Sequence, residues 1–456
     1  MGILLFILSI LLFTADLLHA KNTTKNPSGI CVECHELVTP GIVNDWKSSK
    51  HYKVGSVGCI DCHSGNERPD TFSHNGFRIH MIPTPKDCRK CHTQEVDEYE
   101  NNIMSYAYKN LMFNNLFSAF KKSVNHYEGR PLTEEDSCLS CHGTKLEVKG
   151  QKERETLFGI MEFVQIEGWP NTGVGRLNPD GSKGSCAACH ARHSFSLGVA
   201  RKPEACSRCH KGPDVPAYKI YTVSKHGILY SSKKSDWNFD SKEWVAGKDY
   251  TVPTCATCHM SEVKKMGEIV AKRTHMVSDR LSHRLFGIPY ATAYPKSPET
   301  YKVRNRAGLP LLCELTGEPV TGYLISREEQ IKRRNRMKSI CSVCHATPFI
   351  ERHFSRLDEA IYTTNEITKK STDLLLSSWK KKKAKTKDGI FNEFLERLWV
   401  ENWLFYGNSV RLASAMGGAD YGVFEGGRWG LTKNLEAIRE WKRILFSLTV
   451  RKKTDK

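Results

Sequence analysis

Apolar positions are distributed unevenly along this chain. Met1–Phe13 (MGILLFILSILLF) is an unbroken apolar run, shorter than the ~20 residues of a membrane span and interrupted by Asp16. It predicts a signal peptide over residues 1–20, cleaved after Ala20; an uncleaved anchor is the alternative. No later segment is apolar enough to cross a bilayer. From 21 to 355 the pattern is broken. Glu95–Tyr108 and Glu262–Arg273 read as short helices, and Gly168–Gly184 (GWPNTGVGRLNPDGSKG), dense in Gly, Pro, Asn and Asp, reads as a loop. From 356 to 456 the period becomes helical. Phe391, Phe394, Leu395, Leu398, Trp399, Trp403 and Leu404 mark one apolar face, and Leu435, Ile438, Trp441 and Leu445 another. This region is expected to be long helices that cap the rest of the molecule or also pack subunits together. Lys380–Lys387 (KKKKAKTK) reads as a solvated turn or helix end.

The cysteines explain the broken middle. Of 17, all but Cys313 fall into eight Cys-x-x-Cys-His units. In chain order these are Cys31, Cys34 and His35; Cys59, Cys62 and His63; Cys88, Cys91 and His92; and Cys138, Cys141 and His142. The second four are Cys186, Cys189 and His190; Cys206, Cys209 and His210; Cys255, Cys258 and His259; and Cys341, Cys344 and His345. This is the spacing of c-type haem attachment, in which two thiols bond the porphyrin and the imidazole takes one axial position on iron. Zinc sites and redox dithiols share the Cys-x-x-Cys but do not require a His after every copy. Cys313 reads as a small buried apolar residue. The 436 residues after Ala20 leave about 54 per unit, too few to wrap each haem in its own domain. The haems must themselves form the core, which fits a hydrophobic content of only 39%. The expected fold is mainly α, a multihaem cytochrome c with a haem-packed core over 21–355.

A formal charge of +18 would ordinarily suggest a nucleic-acid or anionic partner. Eight haems add sixteen propionates that the count omits, so the Lys and Arg excess reads as their counterions, and no nucleic acid is expected.

Nine histidines lie outside the motifs and the leader: 51, 74, 80, 126, 193, 226, 275, 283 and 353. A second imidazole closes an iron to substrate and suits it to electron transfer. Eight closed irons would need eight of the nine; one open iron would need seven. His193, three residues after His190, is too near its own motif to reach round that haem. It is expected to cap a neighbouring haem, with a propionate hydrogen bond as the alternative. His51, His226, His275 and His353 are expected axial ligands, as is His126. His74 and His80 compete for one place, with His80 preferred, and His283 is unassigned.

The loop Gly168–Gly184, Cys186–Ser196 (CAACHARHSFS), Ala200–Asp214 (ARKPEACSRCHKGPD), Ser224–Gly227 (SKHG) and Asp420-Tyr421 together resemble the octahaem hydroxylamine oxidoreductase family, which includes hydrazine dehydrogenases. The resemblance implies a homotrimer outside the cytoplasm, in which seven bis-His haems serve one catalytic haem with an open face. It puts that haem on Cys138, Cys141 and His142, assigns Asp214 to its distal pocket, and makes Tyr421 the residue cross-linked to the catalytic porphyrin of an adjacent subunit. It implies a small inorganic nitrogen substrate, hydroxylamine before hydrazine, and a soluble cytochrome c as redox partner. Two positions depart from the family. Val215 stands where a histidine usually follows the Asp, and Gly422–Trp429 (GVFEGGRW) differs from the usual sequence after the Tyr. Members without the cross-link run in reverse and reduce nitrite. A carrier with every iron closed is the non-enzymatic alternative.

Overall fold

The structure, a computed structural model, describes residues 28–454 apart from 56, 66, 115–125, 128–129, 132–137, 286–292, 305–319 and 381–392. The leader, Cys313, Phe391 and Lys381–Lys387 lie outside the described residues, as does the side chain of His126. The fold is mainly helical, with four two-stranded antiparallel ribbons among the described residues. No described helix is long and apolar enough to cross a membrane.

The motifs share one local geometry. In the third, fifth, sixth and eighth, the His N–H donates to the carbonyl of the first Cys at 2.9–3.0 Å, closing a single helical turn. That turn sets both thiols and the imidazole on one side of the backbone. Several turns are capped: Thr84 N–H donates to Asp87 Oδ2 at 2.8 Å ahead of the third motif, and Gly58 N–H to Asp61 Oδ2 at 2.7 Å ahead of the second. The eighth motif begins at the last residue of the helix Arg327–Cys341.

One expectation is overturned. Glu262–Arg273 is not a helix but a ribbon, Val263–Lys265 paired with Glu268–Ala271. Met266 and Gly267 both have positive φ and make the tight turn, while β-branched Val263, Ile269 and Val270 suit a pleated surface. Glu95–Tyr108 is helical only at its ends, through Thr93–Glu100 and Ala107–Met112. Gly168–Gly184 is a loop, as expected.

The C-terminal region is built from Thr347–Lys380, Phe394–Val400, a π-helical stretch Glu401–Tyr406 running into Gly407–Met416, and Gly427–Thr454. Its core contains Leu375, Leu395, Leu398, Trp399, Trp403, Leu404 and Ile438, with the two indoles stacked at 5.0 Å. Phe394 stays 43% exposed against the edge of Trp441. Hydrophobic periodicity did not announce a buried ladder of small polar residues on the long helix. Thr364, Thr368 and Thr372 each donate to the carbonyl four residues earlier, at 2.6–2.8 Å. These short side chains let neighbouring helices approach, and Thr372 Oγ1 then accepts from Trp399 Nε1 at 2.9 Å. Leu375→Ala, at a fully buried position, is expected to lower unfolding free energy by about 2–5 kcal/mol, and Phe394→Ala by under about 1. Denaturant unfolding followed by tryptophan fluorescence checks both.

Candidate haem sites

Imidazole rings meet in pairs. His35 and His74 have centroids 6.2 Å apart, His92 and His51 6.0 Å, His190 and His275 6.5 Å, and His345 and His226 6.0 Å. An imidazole nitrogen bonds a transition metal at about 2.0–2.1 Å, so with the half-width of each ring two centroids across one iron lie roughly 6 Å apart. The orientation also suits a metal. His142 Nδ1 donates to the Ala107 carbonyl at 3.1 Å and His35 Nδ1 pairs with Thr39 Oγ1 at 2.8 Å, which leaves Nε2 as the free donor atom. Buried ring nitrogens of His74, His259 and His275 have no hydrogen-bond partner in the protein, which a buried polar atom rarely tolerates. Burial holds His63, His190 and His259 at about 4, keeping them in the neutral form that binds metal. Among the described residues no cluster of three or more His, Cys, Asp or Glu could hold a bare ion, so these half-sites call for a metal that brings its own equatorial ligands. The residues fit c-type haem.

His193 leaves its own motif. His190 pairs with His275, whereas positive φ values at His193 and Phe195 turn the chain sharply and carry His193 toward His35 and His63, whose electrostatic fields it shares. His80 is placed differently from the expectation. Its carbonyl accepts from His63 Nδ1 at 2.9 Å, so it stands behind His63 rather than across from it. Its own Nε2 bonds the Cys62 carbonyl at 2.9 Å and faces Asp87 Oδ1 at 3.4 Å. The geometry instead brings His74, the competitor, to a motif imidazole. Both ring nitrogens of His283 are engaged, by Ser282 Oγ at 2.9 Å and Gln330 Nε2 at 3.2 Å. His353 donates to the Ala415 carbonyl and lies in the fields of His226 and His345.

The cysteines trace how the motifs adjoin. No disulfide joins any of the sixteen, so every thiol is free to form a thioether. Side-chain interactions link Cys31 with Cys59, Cys88 with Cys186, Cys206 with Cys255, and Cys141 with Cys209. Longer-range electrostatic interactions link Cys62 with Cys88, Cys189 with Cys206, and Cys258 with Cys341. The result is a line in the order first, second, third, fifth, sixth, seventh, eighth, with the fourth motif branching off at the sixth.

Three second thiols correct the picture of a core that encloses every attachment point. Cys91 and Cys344 are exposed, as is Cys209, and Cys34 is only partly buried. In the first, third and eighth motifs it is the leading thiol, Cys31, Cys88 or Cys341, that faces an adjoining motif. The thiol three residues on is then left toward the outer side of the turn. Cys34 acts on Cys31 of its own motif, and Cys344 on Cys341 and on Tyr250. Cys34, Cys91 and Cys344 therefore lie at the rim of the haem-binding core rather than inside it.

The fourth motif is held by the loop Gly168–Gly184. Val174 N–H donates to the Cys141 carbonyl at 3.0 Å, Gly175 N–H to that of His142 at 3.2 Å, and Asn171 Nδ2 to that of Leu139 at 2.8 Å. Contact is so close that a Cβ on Gly143, whose φ is +86°, would lie 2.2 Å from the Arg176 amide nitrogen; one on Gly173 would lie 2.2 Å from that of Gly143. Burial lowers His142, while the Ala107 carbonyl and the Asp214 carboxylate pull it upward; Asp214 acts on His210 as well. Asp214 is thus brought between the fourth and sixth motifs, and Asn408 Nδ2 fixes its carbonyl at 2.8 Å. Tyr421 lies on the segment Ala419–Gly426 against Gly417, and no described contact joins it to His142 or Asp214 within the chain. Sequence reading missed Ala107, Asn408 and Arg176; only a loop of closely set glycines signalled tight packing.

Two family models match. One, for multihaem cytochromes with seven Cys-x-x-Cys-His repeats, covers residues 55–115 and 179–281; the other, for cytochrome c554 and c-prime, covers 87–167. A solved structure described as a hypothetical multihaem protein is 36% identical, with a TM-score of 0.86, over 95% of this chain and 99% of its own. The chain therefore belongs to the multihaem c-type cytochromes. Its relatives within that class are hydroxylamine oxidoreductase-like, in agreement with the resemblance read from the sequence. A probable nitrite reductase-hydroxylamine oxidoreductase fusion protein of Kuenenia stuttgartiensis is 27% identical over 73% of this chain, which spans only 35% of that protein. A Kuenenia stuttgartiensis reducing HAO-like protein complex shares the fold at 20% identity and a TM-score of 0.67, over 94% of this chain and 87% of its own.

The crowding at the fourth motif can be tested directly. Gly143→Ala is expected to cost the chain one covalent haem, read by pyridine haemochrome titration per mole of protein, with the remaining haems retained. A second expectation concerns Asp87. Burial alone would raise it, but hydrogen bonds from His80 and the Thr84 amide, with the Arg68 guanidinium, bring it down to about 2. Asp87 thus contributes stability above pH ~4 that is lost as pH falls toward 2. Asp87→Asn should flatten the acid limb of a melting-temperature against pH curve over that interval.

Proposed function

We propose that this chain is an oxidoreductase of small inorganic nitrogen compounds, exported from the cytoplasm, carrying eight c-type haems of which one, on Cys138, Cys141 and His142, keeps an open face. Hydroxylamine is the leading electron donor. The observation that carries the reading is Asp214, a carboxylate beside the one motif that branches off the line. The histidine inventory supports it. With His80 and His283 engaged elsewhere, seven extra imidazoles remain for eight irons. His74, His193, His51, His275 and His226 go with the first, second, third, fifth and eighth motifs, and His126 and His353 remain for the sixth and seventh.

Bound haems would move electrons one at a time and offer one free axial position. The protein's part is to hold the ligands and manage protons. Ala107 orients His142 from behind, and Asn408 fixes the turn that carries Asp214. The Asp214 carboxylate takes the protons that oxidation of an N–H compound releases. Tyr421 is the proposed cross-linking residue toward an adjacent subunit of a homotrimer, and a soluble cytochrome c the proposed redox partner.

The reverse direction, nitrite reduction, is the second reading. It is favoured by Val215, which withholds a second proton-carrying ring, and by the reducing complex with which the fold is shared.

Ferric electron paramagnetic resonance is expected to show one high-spin haem in eight; an entirely low-spin spectrum would reduce the protein to an electron carrier. Asp214→Asn should keep that signal while kcat falls about 10²–10⁴-fold. Hydroxylamine-dependent cytochrome c reduction, set against nitrite consumption with a reduced dye, then fixes the direction.

A further inference from the structure

The longest ribbon, Glu147–Thr156 paired with Gly159–Glu167, is unlike the other three. Nine or ten residues per strand span about 30 Å. Only its base is buried, where Val164 and Ile166 join Phe72, Ile82 and Leu146. Its principal packing outside itself is on the strand Thr71–His74. The tip presents Leu157, Phe158 and Ile160 to solvent at 83, 52 and 70% exposure. A lone two-stranded ribbon is marginal in water, and an exposed apolar tip marks a contact surface.

The ribbon's charge says what kind of surface. Cross-strand register sets Glu153 opposite Glu162 and Glu155 opposite Ile160, so three carboxylates and an isoleucine share one face. Like charges directly opposite destabilise a sheet. No ion pair reaches any of the three glutamates among the described residues, whereas Glu147 and Glu167 at the base are paired by Lys145 and Lys149. Counting 147–167, five acidic residues face three basic ones, in a chain whose formal charge is +18.

A complementary surface exists on the same chain. Between the helix Arg327–Cys341 and the ribbon Val263–Lys265/Glu268–Ala271 runs a groove of about 640 Å³ lined by Val270, Ile331, Lys332 and Arg336, with Glu328 the one acid. Met266, Ile269 and Ile331 are 97, 52 and 46% exposed beside it. No Cys-x-x-Cys-His residue lines the groove, so it is not a haem seat.

We propose that the ribbon of one copy lies in this groove on a second copy, its apolar tip against Ile269 and Ile331 and its acidic face toward Lys332 and Lys265. The contact is head-to-tail, which closes into a ring when the rotation allows and otherwise propagates. A ribbon of this length buries on the order of 1,000 Å² with its receiving surface, the lower size range of stable interfaces. The inference concerns assembly alone and stands independently of substrate and direction.

The test uses the holoprotein, with mass from light scattering and sedimentation velocity. The parent chain is expected to form a discrete oligomer at micromolar concentration. Glu153→Lys/Glu162→Lys, and separately Leu157→Ser/Phe158→Ser/Ile160→Ser, should raise the dissociation constant at least 100-fold with haem content and melting temperature unchanged. Lys265→Glu/Lys332→Glu should do the same, and mixing that variant with the arm-reversed chain should restore association. A monomeric parent, arm variants that assemble like the parent, or failure of the charge-reversed pair to associate would each overturn the proposal. A parent that is monomeric alone but captured by a basic cytochrome would assign the arm to that partner instead.

Discussion

Two buried, neutral imidazoles held about one metal's width apart are the constraint from which the rest of this structure follows. A pair such as His51 and His92 contributes almost nothing to stability by itself; it is two polar rings removed from water. What fixes its spacing is the scaffold around it: one-turn motifs, capped starts, carbonyls behind the rings. That scaffold is repeated with different connections, so the polypeptide is organised around separations between side chains rather than around a continuous apolar interior. Its apolar clusters are correspondingly small and scattered, except in the C-terminal helices.

The sequence spoke clearly where chemistry demands covalent spacing. All eight motifs, the departure of His193 from its own motif and the helical C-terminal region could be read from residue order. It spoke less clearly where three-dimensional neighbours decide. His74 and His80 are six residues apart on one ribbon, and only the fold shows that the carbonyl of one stands behind His63 while the ring of the other reaches His35. Identical spacing likewise hid a difference among the thiols, since Cys91 and Cys344 face outward while Cys189 and Cys258 are enclosed. Glu262–Arg273 carries enough charged residues to imitate a helix, yet a Met-Gly turn and β-branched neighbours overrule the pattern. The threonine ladder of the long helix escaped a hydrophobic reading because it is polar and buried at once, satisfied by its own backbone. Asn408, which fixes the turn bearing Asp214, is 194 residues away from it, a separation at which local pattern carries no information.

The order of the motifs along the chain is not their order in space. The fourth departs from a line that otherwise runs from first to eighth, and its neighbour is the sixth, through Cys141 and Cys209. A side branch of this kind separates the place where a small molecule can be handled from the route along which charge is passed. Asp214 and Asn408 sit at that junction, and both come from segments after the branch.

The backbone crowding at Gly143 and Gly173 has a consequence for how such chains can change. The fourth motif is interlocked with residues near Ala107 and with the loop 168–184, so it is not a portable cassette. Recombination that exchanged it between relatives would have to move three sequence-distant pieces in one event. Drift around it should therefore be slow even where the surrounding ribbons vary freely, and designers who wish to graft this centre onto another cytochrome must transplant the loop together with the helix start that faces it.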